Sequence, residues 1–397
     1  MSAFTATSNR PTHQFDYHHD PILADVHAGY WQLKDCAPPL FWTPANGGHW
    51  VANNGAIANH IMRHPEIFSS KILAIPPRPD SPKMIPITLD PPEHRSYRQM
   101  LRPFFESKAI APLEQWIIDW TNRLIDAVID KKECEFVDAI SSRLPVSIFM
   151  EMLGLSMDRF DEFRKLVVDF FKAAGGEDID ERLRLQGQIH GIIHELVTAR
   201  MADPKSDLMS QLVTLDFEGR KLTYEELMSI GFLMFLAGLD TVVNAMSFGM
   251  NHLSHDEVLQ QRIIDDPDCI PNVVEELLRR YAFVNTPRLI VEDVEIDGVQ
   301  MKAGETVLVP LMMIGWDEKL NACPHQVSVD RPAYRHGAFG TGVHTCLGIH
   351  LARMELRNFY ALWFKRIGKF RRANPDAPLH MRGGNVMAIE QLDLRWD

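Results

Sequence analysis

A mainly α-helical fold with small β-sheets at its edge is what this sequence predicts, and three observations predict it. Helix-like apolar spacing runs through most of the 397 residues, from Pro92 onward. Strand-like alternation is confined to three short stretches. A composition of 46% hydrophobic and 24% charged residues supplies a packed core rather than a disordered chain. The length suits one large domain or two ordinary ones, and no repeat or low-complexity linker divides it.

The N-terminal stretch has no apolar h-region, so no signal peptide is read and a cytoplasmic location is expected. Residues 1–20 read as a flexible tail, with His13, His18 and His19 as solvated tail residues rather than a metal site. "GHWVAN" is the first strand signal. Ile75–His94 carries seven prolines and is expected to be a long loop, of the kind that often serves function. Helices are expected at Pro92–Phe105, Ala111–Asp130, Asp158–Ala174, Asp178–Met201, Thr223–Ser254, Asp256–Asp265, Ile270–Tyr281 and from about Leu347 to Ile367. The run Leu227–Leu253 is long enough to span a bilayer. Asp240 and Asn244 lie inside it, and charge there is costly, so it reads as a helix buried in protein. Between Leu289 and Leu311 the "IDG" and "KAGE" turns predict hairpins, and "VMAIEQLDLRW" predicts a last strand region.

A net charge of −12 argues against a general nucleic-acid binder. Cys36, Cys134, Cys269, Cys323 and Cys346 are scattered and without CxxC spacing, which fits neither a disulfide framework nor a zinc site. Cys346 differs from the others by its setting, "FGTGVHTCLGIHLARMEL", just ahead of a helix. Free N–H groups and the positive end of the helix dipole favour a thiolate there. Gly340, Gly342 and Gly348 remove side chains, so that backbone or a flat ligand can come close. Such a thiolate suits a single soft metal ligand whose other ligands are not protein, haem iron being the obvious case. A strand-to-helix turn around a buried thiol is the alternative.

"FGTGVHTCLG" resembles the haem-binding loop of the cytochrome P-450 superfamily. "EELLRR" is similar to that family's Glu-x-x-Arg pair, "DPPEHRSYR" to the start of its haem-crossing helix and "LAGLDTVVN" to its oxygen-binding helix. They stand in family order and the resemblance covers essentially the whole chain. "AGLDTVVN", "EELLRR", "NACP" and the ending "LRWD" most resemble the bacterial camphor-hydroxylase group. The resemblance implies one haem domain over residues 1–397, a triangular helical prism around a buried haem b whose iron is bound by Cys346. It implies cofactor contacts from His94, Arg98, Arg288, His344, Phe339 and Gly238, the first four at or near the propionates. Catalytic roles in proton delivery fall to Asp240 and Thr241, with the Thr241 hydroxyl bonded to the Ala237 carbonyl. Glu276, Arg279 and Arg331 form a structural ion network. The substrate pocket falls to Met84, Ile87, Leu233, Ala237, Val284, Asn385 and Val386, with Ala74 or Ile75 nearby.

Two departures stand out. Thr286 replaces an Asp near the propionates, and His94 a Gln. The camphor group anchors its ketone with a tyrosine before "DPPE", but no Tyr lies between Tyr30 and Tyr97. The expected activity is therefore hydroxylation of a C–H bond in a small apolar cyclic terpenoid, a norisoprenoid of the ionone type rather than camphor. The resemblance supplies O2 as co-substrate and an iron–sulfur ferredoxin with a separate NADH-dependent reductase as electron source. Arg95, Arg98, Arg102, Arg335 and Arg353 are the basic residues expected to meet that ferredoxin. Neither nucleic acid nor membrane is an expected partner. A haem-thiolate ligand carrier or sensor, or a peroxide-driven enzyme, is the alternative.

Overall fold

Several helices start at a side-chain cap that the sequence offers. In the computed structural model, which describes residues 10–78, 81–174 and 178–397, Asp25 accepts from the His27 and Ala28 N–H groups and opens α1 (Val26–Cys36). Asn54 does the same for α2 (Gly55–Arg63). Next come α3 (Glu93–Leu101), α4 (Ser107–Ile110), α5 (Leu113–Asp126), α6 (Leu144–Leu153), α7 (Phe160–Ala174), α8 (Ile179–Ala202) and α9 (Leu208–Thr214). A capping box between Thr223 and Glu226 opens α10 (Tyr224–Leu239). Then follow α11 (Thr241–Leu253), α12 (Glu257–Asp265), α13 (Ile270–Arg280), α14 (Met312–Gly315) and α15 (Ile349–Arg366).

Strands are short. The largest sheet joins β1 (Leu40–Thr43), β2 (His49–Ala52), β8 (Thr306–Pro310), β5 (Asn285–Ile290) and β3 (Phe68–Ser69) in that order. The β2–β8 pair is parallel. β6 (Val294–Ile296) and β7 (Val299–Met301) form the hairpin expected at "IDG", with Asp297 and Gly298 both at positive φ. "VMAIEQLDLRW" is two strands in two sheets. β11 (Ala388–Gln391) pairs with β10 (His380–Arg382). β12 (Asp393–Trp396) pairs with β4 (Glu133–Glu135) and β9 (Phe370–Arg372).

Buried side chains form two clusters. One surrounds the large sheet with α1, α2, α5 and α11–α15; the other fills the space among α3 and α6–α10. The flexible tail expected over residues 1–20 needs correcting. Residues 1–9 lie outside the described residues, but from Arg10 onward the chain is packed. Phe15 and Tyr17 are fully buried, and Thr43 Oγ1 both donates to Phe15 O (2.8 Å) and accepts from Phe15 N–H (3.1 Å). His18 packs against Tyr17 instead of facing solvent, and burial lowers its pKa to about 4. The expected helix Thr223–Ser254 is interrupted at Asp240, whose φ of −109° and ψ of −27° depart from ideal helical values while staying in the right-handed region. That stretch remains long and apolar enough to cross a membrane, and 56% of its most apolar window is buried within the protein.

Candidate functional site

The loop carrying Cys346 is shaped by close backbone contact. Gly340 and Gly342 take φ of 71° and 75°, and a Cβ on Gly342 would stand 2.4 Å from the Met62 carbonyl oxygen of α2. Only glycine satisfies both the left-handed backbone and that approach. The Cys346 N–H donates to Phe339 O at 2.8 Å, and Thr345 Oγ1 donates to Gly342 O at 2.8 Å. Phe339 also stacks under the Arg353 guanidinium, 5.0 Å from its ring centre. Cys346 is surrounded by protein and still keeps accessible surface, so its sulfur faces an interior cleft. Burial is the largest influence on it and raises its pKa; the Gly348 N–H and the charges of Arg98 and Arg353 pull the other way without prevailing. The backbone N–H favours the thiolate in the direction expected from sequence, but burial outweighs it. A bound metal deprotonates the thiol outright.

The α10–α11 break supplies the next group of residues. Ala237 is exposed, although Phe235, Leu236 and Leu239 around it are buried, so it faces the cleft. Thr241 Oγ1 donates to Ala237 O at 2.9 Å, the bond expected from sequence. Gly238 does something else. A Cβ there would meet the Phe149 ring of α6 at 2.7 Å, so its missing side chain admits a neighbouring helix rather than a cofactor. Asp240 accepts from Asn244 Nδ2 at 3.0 Å, and the same amide donates to the Asp240 carbonyl at 2.8 Å. Burial raises the Asp240 pKa, opposed by the charge of Arg382 and by the Asn244 bond.

His94 and Arg98 of α3, Arg288 of β5 and His344 converge on one side. The His94 and His344 rings are 4.2 Å apart. Burial lowers the pKa of His94 to about 4, of His344 to about 3 and of Arg288 to about 10, and in both histidines neighbouring cations push the same way. His94 Nε2 and His344 Nε2 are buried with no hydrogen-bond partner among the described residues. Arg288 donates to its neighbour's carbonyl, Pro287 O, at 2.8 Å, and Arg98 donates to Thr345 O. Buried donors and cations crowded this way fit an anionic group such as a carboxylate. Together with a cleft-facing sulfur opposite a small-residue helix face, they fit the haem expected from sequence. No group of three His, Cys, Asp or Glu side chains suited to a metal occurs among the described residues, so a metal at Cys346 brings its other ligands with it.

Glu276, Arg279 and Arg331 come together as a buried network. Arg279 grips Glu276 with two bonds of 2.7 and 2.8 Å, and Arg331 Nε lies 2.9 Å from both carboxylate oxygens. Arg353 is already held by Glu275 at 2.6 and 2.7 Å.

The pocket residues come from three places. Leu233 and Ala237 share a face of α10. Val284 and Val386 form an isolated antiparallel bridge, with Asn385 beside it. Met84 belongs to a segment that Ser229 of α10 pins from both sides, its hydroxyl donating to Lys83 O (2.7 Å) and accepting from Ile85 N–H (3.0 Å). Ile87 keeps 42% of its surface accessible. Asn385 Nδ2 donates to Leu73 O at 2.5 Å, and its Oδ1 is sealed from solvent. Ser229 and Tyr17, which clasps Ile75 through the Tyr17 hydroxyl, were missed. A serine in an apolar helix and a tyrosine in an N-terminal stretch carry no motif, and only the fold brings them to the loop.

The sequence profile of the Cytochrome P450 family matches residues 268–367. The "Probable cytochrome P450 127A1" of Sinorhizobium fredii is 33% identical over 100% of this chain and 94% of its own length. The "Steroid C26-monooxygenase" of Mycobacterium tuberculosis (strain H37Rv) is 30% identical over 93% of this chain and 95% of its own. Among solved structures, CYP101J2 superposes with a TM-score of 0.90 at 32% identity, covering 100% of both chains. CYP101C1 does so at 0.89 and 30%, covering 98% of each.

Proposed function

Because the chain belongs to the cytochrome P450 family and is a haem-thiolate monooxygenase, we propose that it hydroxylates a C–H bond of a small apolar cyclic terpenoid of the norisoprenoid type. Cys346 would ligate the haem iron, and His94, Arg98, Arg288 and His344 would hold the propionates. Bound haem supplies activation of O2 and oxidation of the C–H bond. The chain's own residues do the rest. Thr241 presents a hydroxyl at the Ala237 step, and Asp240 holds the proton that must reach that side. The apolar walls at Leu233, Ala237, Val284 and Val386 hold the substrate and exclude water.

The observation that carries the substrate reading is the state of the polar groups around the pocket. No tyrosine lies in the loop, and one of the two Asn385 amide hydrogens is engaged on Leu73 O. Selection then rests on shape and apolar burial, at about 25 cal/mol per Å², and a compact ketone gains no hydrogen bond from a tyrosine. We read residues 1–397 as one haem domain, working in the cytoplasm with an iron–sulfur ferredoxin and its NADH-dependent reductase. Five free cysteines are consistent with that compartment.

The test is a substrate-induced spin-state titration of purified protein with ionones and camphor, followed by product analysis. Ionones should shift the spin state and yield ring-hydroxylated product while camphor binds weakly. Tight, coupled camphor oxidation with no response to ionones would overturn the substrate reading.

A further inference from the structure

The loop between β3 and α3 is fastened in both of its halves. In the first, Tyr17 and Asn385 bond the backbone of Ile75 and Leu73. In the second, Ser229 of α10 joins two backbone groups through one hydroxyl, donating to Lys83 O at 2.7 Å and accepting from Ile85 N–H at 3.0 Å. Thr88 secures the residue between them: its Oγ1 donates to Met84 O at 3.0 Å and accepts from Met84 N–H at 3.1 Å. Ser229 and Ile85 are buried, Met84 is half-buried, and Met84 and Ile85 belong to the same apolar cluster as α10. Buried backbone groups deprived of a partner are costly, so this attachment is held firmly. Ser229, Leu233 and Ala237 follow at i, i+4 and i+8 and so lie along one stripe of α10. At 1.5 Å of rise per residue, Ser229 stands about 12 Å from Ala237 along that stripe.

We propose that Ser229 is a positioning residue that determines specificity: its hydroxyl fixes the height at which the loop crosses α10, and so sets the length of molecule the pocket admits. This rests on the reading of Met84, Leu233 and Ala237 as pocket walls, and not on the identity of the substrate. Ala237 faces the cleft that Cys346 faces, so it marks the end of the stripe where the haem would lie. The other end is marked by the backbone at Met84, held one residue to either side by the Ser229 hydroxyl. Apolar walls slide and repack at little cost, whereas a hydrogen bond has a fixed length and direction. One buried hydroxyl with two backbone partners therefore fixes the boundary more sharply than the contacts of Met84 alone. Removing the oxygen as Ser229→Ala keeps the helix and nearly the same volume but leaves Lys83 O and Ile85 N–H without their partner. The loop then gains by moving outward to water, and the boundary moves with it.

The experiment measures how imidazoles of increasing length bind the haem-loaded protein, read by the Soret shift on ligation of the iron: imidazole itself, 4-phenylimidazole, and the biphenylyl analogue that is one ring longer. Ser229→Ala should favour the biphenylyl ligand over 4-phenylimidazole by about fivefold relative to the parent, the scale of one hydrogen bond's net worth. Ser229→Thr keeps the hydroxyl and should restore the parent ratio. Imidazole, too short to reach the loop, should bind all three proteins alike. If Ser229→Ala does not retain haem, the near-isosteric Ser229→Cys serves the same comparison. An unchanged ratio in a variant that binds imidazole normally overturns the role of Ser229. Leu233→Phe tests the pocket assignment separately: it narrows the stripe and should weaken both longer ligands but not imidazole. If both longer ligands are indifferent to it, the pocket reading fails and this proposal falls with it.

Discussion

Glu355 sits on α15, nine residues after Cys346. It is 3% exposed and its Oε2 has no hydrogen-bond partner among the described residues. Burial pushes its pKa from 4.5 up to about 8. A carboxyl with a raised folded-state pKa holds its proton more tightly in the folded chain. Its contribution to stability is therefore complete below pH 4.5 and is lost as pH rises towards 8. Inside that window the loss is about 1.4 kcal/mol per pH unit, so from pH 6 to pH 7.5 it amounts to about 2 kcal/mol. An unfolding entropy of roughly 2.1 cal/mol/K per residue turns this into a Tm lower by about 2–3 °C for a chain of this length. Glu355→Gln cannot ionise. It should start less stable by about 1–3 kcal/mol wherever its amide stays unpaired, and it should lack this part of the pH dependence. Thermal melts of haem-loaded parent and variant, followed by circular dichroism and by the Soret band across that range, give the comparison. Parallel Tm-against-pH curves for the two proteins would refute the reasoning.

Three further outcomes are expected. Thr241→Ala should bind haem and substrate normally but consume NADH while releasing hydrogen peroxide in place of product; tight coupling in the variant would rule out a proton-delivery role for the hydroxyl. Glu276→Gln leaves Arg279 and Arg331 buried without their anion and should cost about 3–5 kcal/mol, read as a Tm fall of about 4–6 °C in the same melts; a fall below about 1 °C would mean that the backbone carbonyls around the two arginines suffice. Reduction by ferredoxin should slow as salt rises, and Arg335→Glu should raise the apparent KM for ferredoxin about tenfold at low salt, whereas a salt-independent rate would place the partner elsewhere.

That last choice of residue shows what sequence could not supply. Arg353 and Arg335 look alike in a list of cations, but Arg353 is paired with Glu275 and stacked on Phe339, while Arg335 is exposed. The motif residues were legible because local spacing fixes them: Glu276 and Arg279 share a helix face, and Thr241 reaches back one turn to Ala237. Long-range partners were not. For Asn385 the bond to Leu73, 312 residues away in sequence, was invisible. Helix α6 escaped because all but two of its ten residues are buried, so the apolar pattern has no polar face to set its period. Residues 10–20 read as tail because two aromatics in a polar stretch carry no period, whereas the fold places Phe15 against Thr43 and Tyr17 against Ile75.

The same distinction resolves the run "FLAGLDTVVN", where a glycine, an acid and a hydroxyl crowd into a buried helix. Each answers to a different neighbour. Gly238 is small because Phe149 lies against it; at 2.7 Å even a methyl group would force α6 and α10 apart. Thr241 turns its hydroxyl back to the Ala237 carbonyl at 2.9 Å. Asp240 sits between the two helical segments, with its carboxylate on Asn244 and beside a polar cavity that Glu390 also lines, rather than with the Thr241 hydroxyl. Acid and alcohol therefore address different spaces, one leading to solvent at Glu390 and the other facing the cleft of Ala237. A continuous helix would seal the first from the second with a regular ladder of backbone bonds. Asp240, at the break, borders the polar cavity, while the next residue, Thr241, bonds back to Ala237, so the two side chains are separated although they are adjacent in sequence.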